Sequence, residues 1–350
     1  MWKRLLLGTA VVLALVAVWV VWLLNASGEF KTLTPHFAGA CAPVAGLVGT
    51  EDLTIHPRTG VAYLSSCDFR SVLAGKPAKC SLYAYDLNVP VPRPVDLVPD
   101  AGPGFLPHGI SLHVAADGAG TLFVINHAGG RNTIEVYDVA PARLTHRTTL
   151  ADSSLVSPND LVAVTPTQVY VTNDHRHPPG AMRTVEEYLR RPWANVVMWD
   201  GHTWREAAGG IPLANGINAS HDGRTVYVAS LIGQSVRVYD RNLTTGALAL
   251  RDEIALETAP DNIEVDADGA LWIGAHPKLV TTVVRYLGGS VDQAPSQVLR
   301  IVPTRDGGEV REVYLDDGDQ LSGASVAAVR DGRMLIGTIA DSKFLDCTMR

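Results

Sequence analysis

The sequence predicts an all-β chain, a six-bladed β-propeller preceded by one N-terminal transmembrane helix, and three observations carry the propeller. Paired apolar strands recur at intervals of roughly 50 residues. Thirty-two Gly and 21 Pro supply the turns that many short strands need. Beyond the first segment no long amphipathic helix pattern dominates. The 350 residues exceed a typical domain, yet one closed all-β domain can occupy them. An apolar share of 47% excludes a disordered chain. Twenty-nine basic residues against 36 acidic ones give a net charge of −7, and so acidic a surface speaks against nucleic acid as a partner, because that grip needs clustered Lys and Arg.

The expected organisation is an anchor over residues 1–24, a linker over 25–40 and a propeller over 41–350. Residues 5–24 carry no charge and, as a helix rising 1.5 Å per residue, match the hydrocarbon thickness of a bilayer. Lys3 and Arg4 precede them, which keeps the short N-terminus cytoplasmic and sends the rest to the periplasmic, lumenal or extracellular side. Trp19 and Trp22 fit an aromatic belt. The sequence around Asn25 to Gly28 leaves a cleaved signal peptide, and hence secretion, as the alternative.

Cys41, Cys67, Cys80 and Cys347 contain no CxxC spacing, which excludes a zinc ribbon or a thioredoxin-type site. Two disulfides suit an exported chain: Cys41 with Cys347 would tie the two ends, and Cys67 with Cys80 would close a local loop. Four buried thiols are the other reading.

The repeated pairs are 61–66 with 81–86, 121–126 with 133–138, 168–173 with 195–200, 225–230 with 235–240, 270–275 with 296–301, and 333–338 with 343–347. One further apolar strand lies upstream of each pair. Closing six such sheets into a ring removes exposed edges. Residues 181–191 break the pattern and read as a helix inserted in the third blade, the kind of element that covers a site.

The upstream strands open with Glu51-Asp52, Asn159-Asp160, Asn215 and Asp261-Asn262. In a propeller these starts meet at the central channel. One Glu, one Asp and three Asn form an oxygen-only donor set that suits calcium, a hard cation. Neighbouring residues point in different directions, so Glu51 and Asn159 can face one ion while Asp52 and Asp160 face a second. A single Asn-Asp pair is an ordinary turn former; four at equivalent blade positions argue for metal. No GxSxG nucleophile elbow occurs, which excludes that serine-hydrolase design.

Taken in order over residues 40–348, EDL at Glu51, PHGIS at Pro107, VINHAGG at Val124, SPNDLVAV at Ser157, YVTNDH at Tyr170, ANGIN at Ala214, PDNIEVD at Pro260, GAHP at Gly274 and LSGASVA at Leu321 resemble the paraoxonase/arylesterase family. The resemblance implies a propeller with two calcium ions that hydrolyses lactones, aryl esters and some organophosphates. By motif it assigns Glu51, Asn159, Asn215, Asp261 and Asn262 to a catalytic calcium. Asp52, Asp160 and the backbone carbonyl of Ile110 fall to a structural one. His108 and His127 match the family's histidine dyad, and Cys41 with Cys347 its end-joining disulfide. A retained N-terminal segment is also a family trait.

The implied chemistry is water attack on a carbonyl polarised by calcium, with His108, helped by His127, removing the proton. Glu51 or Asp261 could serve as base instead. His175 and His276 lie in matching motifs and are expected to line the substrate pocket with Leu213, which stands where the family favours an aromatic. His56, His202 and His221 read as surface turns. Cys67 and Cys80 look like an addition to the family pattern. The expected partners are a small lactone or ester and the membrane. Two alternatives are a gluconolactonase or strictosidine-synthase type of propeller, and a membrane-tethered calcium propeller that only binds.

Overall fold

The computed structural model describes residues 2–140, 143–305 and 307–350. An N-terminal helix, Trp2–Ala26, is followed by six antiparallel sheets. Blade 1 comprises Leu53–Ile55, Val61–Cys67, Cys80–Asp86 and Val95–Asp96, from the channel outward. Blade 2 runs Pro107–Val114, Gly120–Asn126, Thr133–Ala140 and Arg143–Leu150; blade 3 runs Pro158–Thr165, Gln168–Asn173, Ala194–Trp199 and Trp204–Ile211. Blade 4 is Ala214–Ala219, Thr225–Ser230, Ser235–Arg241 and Leu248–Ala255. Blade 5 is Ala259–Val265, Leu271–His276, Ser296–Thr304 and Gly307–Asp316, extended by the short strand His36–Phe37. The six blades expected from the strand repeat are therefore present.

Blade 6 closes the ring. Ala324–Arg330, Arg333–Thr338 and Lys343–Met349 come from the C-terminus, and the outer strand Gly39–Ala45 from the N-terminal side. Cys41 and Cys347 are direct register partners across that seam and are disulfide-bonded. Cys67 and Cys80, partners on the last rung of their strand pair in blade 1, form the second disulfide. The reading of four free thiols is thereby excluded.

Apolar clusters fill the wedges between blades. Leu53, Leu64, Val326, Leu335 and Phe344, all fully or nearly fully buried, join blade 1 to blade 6, and burying each such side chain contributes about 1.5–3 kcal/mol. Second strands such as Leu122 to Ile125 are apolar at every position because both their faces are covered.

Three short helices, Phe69–Leu73, Ala181–Tyr188 and Leu279–Tyr286, each interrupt the link between the second and third strands of a blade. That link lies at the end of the ring where the inner strands begin, so all three helices crown one face. The insertion expected over 181–191 is the second of them. The N-terminal helix is exposed along its length, but its end docks on this crown. Trp19 lies 6.4 Å from the Tyr188 ring, and the Arg190 guanidinium sits 5.9 Å over Trp22. The Glu29 carboxylate caps the third helix, accepting from the N–H groups of Val280 at 2.8 Å and Thr281 at 3.2 Å.

Candidate active site and metal centre

One irregularity repeats at the start of five inner strands. Register shifts fall between Pro107 and Ile110, Pro158 and Leu161, Ala214 and Ile217, Pro260 and Ile263, and Ala324 and Ala327. A bulge frees the intervening residues from the ladder and re-aims their side chains. Those residues include His108, Asn159, Asp160, Asn215, Asp261 and Asn262. In blade 1 Glu51 and Asp52 immediately precede the first paired residue, Leu53. Glycine lets the bulges approach one another: a Cβ on Gly109 would stand 2.6 Å from the Asn159 carbonyl oxygen, and one on Gly216 2.4 Å from that of Asp261.

The predicted oxygen donors meet. Asn262 Nδ2 donates to Glu51 Oε1 at 2.9 Å and to the Glu51 carbonyl at 3.1 Å. Four buried oxygens, Glu51 Oε2 and the Oδ1 atoms of Asn159, Asn215 and Asn262, receive no hydrogen bond. Each costs about 1–3 kcal/mol when left unpaired, and all four belong to the predicted set. Among the described residues no three His, Cys, Asp or Glu side chains gather as a metal group; the converging donors are mainly amides. This donor chemistry fits a hard, oxygen-seeking cation. Asp261 is committed differently, accepting from His276 Nε2 at 2.8 Å, and burial raises its carboxyl against that bond.

Deeper in the channel Asp52 and Asp160 repeat one arrangement. Asp52 accepts from its own neighbour Leu53 N–H at 2.8 Å and from Ile110 N–H of the next blade at 2.7 Å. Asp160 accepts from Leu161 and Ile217 N–H, each at 2.7 Å. Ile110 thus reaches Asp52 through its N–H. Burial and the charge of Glu51 push the Asp52 carboxyl up to about 8, and burial with the charge of Asp52 raises Asp160. Two buried carboxylates, one raised by the charge of the other, also fit a cation.

His108 and His127 form a directed chain. Asn132 Nδ2 donates to the carbonyls of Leu155 and Val156 at 2.9 and 3.1 Å, which turns its Oδ1 toward His127 Nδ1 at 2.8 Å. His127 therefore carries its proton on Nδ1 and accepts on Nε2. That atom lies 3.1 Å from His108 Nδ1, which must donate, leaving His108 Nε2 as the working atom, 3.5 Å from Glu51 Oε1. Burial opposes charge on His108, but Glu51 overrides it and raises the imidazole to about 9. Burial and the charge of His108 drive His127 down to about 4. Burial would raise Glu51, yet His108 and the Asn262 bond hold it below its ordinary value.

The remaining predicted residues have distinct places. His175 is buried between Asp174, whose Oδ1 lies 2.7 Å from Nδ1, and Glu187, 2.9 Å from Nε2 and off-line for a hydrogen bond. Despite burial these carboxylates raise His175 to about 9. His276 is buried behind Asp261. Leu213 packs with Leu231, Ile232, Ala259 and Leu279 under the crown. His202 and His221 are exposed, but His56 is buried, and its Nδ1 accepts from the N–H groups of Arg58 and Thr59, so the expected surface turn lies inside.

Four residues of this region escaped the sequence reading. Asn132 and Glu187 each stand beside a histidine, Asn132 Oδ1 at His127 and Glu187 at His175. Phe69 stands edge-on over both dyad rings, and Tyr286 ends the third helix, its phenol pushed upward by burial and by the charges of Glu51, Asp174 and Asp261. A pocket of about 840 Å³, lined by His113, His221 and Arg241 among others, opens at the opposite end of the channel, where the inner hairpins turn.

A six-bladed propeller with a histidine pair beside the oxygen donors of its channel is the class these features define. The arylesterase family model matches residues 38–349. The chain is 34% identical over 334 residues to serum paraoxonase/arylesterase 2 of Gallus gallus, covering 90% of each protein. It is 34% identical to serum paraoxonase/arylesterase 1 of Homo sapiens, covering 85% of this chain and 86% of that one. This chain belongs to the paraoxonase/arylesterase family. Solved propellers share the fold at low identity: a gluconolactonase from Xanthomonas campestris (TM-score 0.56, 15% identity, 91% of this chain and 96% of that one) and the calcium-binding regucalcin of Agrobacterium tumefaciens (TM-score 0.53, 14% identity, 91% and 98%).

Proposed function

We propose that this protein hydrolyses lactones and aryl esters, using two calcium ions in the channel and His108 as general base. The observation that carries the reading is the coincidence of four undonated buried oxygens with a histidine pair whose free nitrogen lies 3.5 Å from one donor carboxylate. Glu51, Asn159, Asn215, Asp261 and Asn262 would hold the upper ion, and Asp52, Asp160 and the Ile110 carbonyl the lower one. Bound at the upper set, calcium supplies polarisation of the substrate carbonyl and charge stabilisation of the oxyanion.

The protein's own groups handle the proton. His108 Nε2 accepts it from the attacking water while His127 Nε2 holds the Nδ1–H side of the ring, keeping one tautomer in place. Glu51 charge shared with a cation would pull less on His108, a shift toward the neutral imidazole that a general base needs. The proton then passes from His108 to the departing alkoxide. His276 holds Asp261 in orientation, as a partner behind a metal-binding group does.

Lys3 and Arg4, the apolar helix and the disulfides support an anchored protein with its propeller on the extracytoplasmic side; the same helix and disulfides also suit a secreted form. Full-length His108→Gln and Asn215→Ala proteins assayed on a simple lactone test the reading. Loss of turnover in both with an intact fold is expected, and wild-type turnover in either overturns the role given to that residue.

A further inference from the structure

We propose that the Cys67–Cys80 disulfide is a staple for the active site rather than for the fold, holding Phe69 as a fixed wall over His108 and His127. The proposal rests on the reading of those histidines as the reacting pair. It makes Phe69 and the disulfide positioning elements.

The Phe69 ring centroid lies 5.5 Å from that of His108 and 6.1 Å from that of His127, inclined at 64° and 71°. Phe69 opens the short helix Phe69–Leu73, started by Asp68, whose carboxylate accepts from the Ser71 N–H at 3.0 Å and hydroxyl at 2.6 Å. The helix belongs to an excursion, residues 68–79, that leaves the sheet after Cys67 and returns at Cys80. Its outer part is exposed, Leu73 at 62%, so no core fixes it.

What fixes it is its base. Cys67 N–H donates to the Gly49 carbonyl at 3.1 Å, and Gly49, at φ +57°, sits so close that a Cβ would meet the Cys67 oxygen at 2.5 Å. One foot of the excursion is thus tied to the segment leading into Glu51. The other foot is joined to it by the disulfide and by a long 3.5 Å hydrogen bond from Asp68 N–H to the Lys79 carbonyl. The strand pair below is registered over every rung from Val61 opposite Asp86 to Cys67 opposite Cys80. A link spanning 13 residues at the end of a formed ladder closes a much shorter loop of the unfolded chain than Cys41–Cys347, which spans 306, and restrains that chain less. Its restraint falls on the excursion, and so on Phe69.

The test is a double-mutant cycle in the full chain, combining C67S/C80S with F69A, and with F69Y as the conservative control. Lactone KM and kcat are measured alongside the histidine ring-proton NMR shifts of 13C-histidine-labelled protein, which need no turnover. F69A is expected to raise KM about threefold to tenfold, the range of an aromatic pair. C67S/C80S should reproduce that rise and the same histidine shifts, F69Y should restore both, and the combined variant should add little. Wild-type KM and shifts in C67S/C80S, effects that multiply independently, or a C67S/C80S chain that fails to fold each overturn the staple. If His108→Gln instead keeps full turnover, the base assignment falls, while the coupling of Phe69 to the disulfide is still read from KM and the shifts.

Discussion

His108 Nδ1 and His127 Nε2 stand 3.1 Å apart, and their surroundings push the two imidazoles in opposite directions, His108 up to about 9 and His127 down to about 4. A pair held this way has one proton donor direction, from His108 through His127 to Asn132. His108→Gln should lower kcat/KM about 10²- to 10⁴-fold, the usual contribution of a general base. His127→Gln should cost less, because His108 keeps its reacting atom and loses only its orientation. Steady-state kinetics with melting temperatures separates this from misfolding.

Asn215 offers a prediction whose sign changes with metal. Its buried Oδ1 has no donor, so in chelator Asn215→Ala should melt at least as high as the wild type. In calcium the variant should melt lower, because ligand stabilisation follows affinity. Differential scanning fluorimetry under the two conditions checks the crossing. Parallel curves would contradict a ligand role.

His175 gives a pH dependence. Its folded value is raised from 6.5 to about 9 by Asp174 and Glu187, with burial and Arg183 opposing. A raised basic group stabilises fully below the unfolded value and loses that contribution as pH climbs through the folded one. The melting-temperature gap between wild type and His175→Gln should therefore be widest below pH 6.5 and narrow through about pH 9.

The seam disulfide should matter most to stability. Cys41 and Cys347 are register partners across the closing strands, and a bond over so long a span is worth about 3–5 kcal/mol. The C41S/C347S protein should melt on the order of 10 °C lower in denaturation scans.

Much of this molecule is written in its strands. Runs such as Leu122 to Ile125 announced blades because both faces of a second strand are covered, and the shared position of Glu51, Asn159, Asn215 and Asp261 at strand starts announced a channel site. The bulges were not legible, since a register shift leaves no mark in apolar periodicity. Phe69 and Tyr286 were missed because they ride on short helices whose position is set by the crown. His56 was misread because a His-Pro turn looks exposed until the neighbouring blade covers it. Asn132 and Glu187 carry meaning only through the imidazoles they touch.

The central claim is calcium-dependent ester hydrolysis at the upper oxygen set. The most direct test is turnover of a panel of lactones and phenyl acetate by the detergent-solubilised full chain, with and without calcium chelation, while melting temperature is followed. The account predicts lactone hydrolysis that is lost on chelation and restored by added calcium, together with a fall in melting temperature. Undiminished turnover in chelator, or a calcium-stabilised protein that hydrolyses none of the panel, would contradict it.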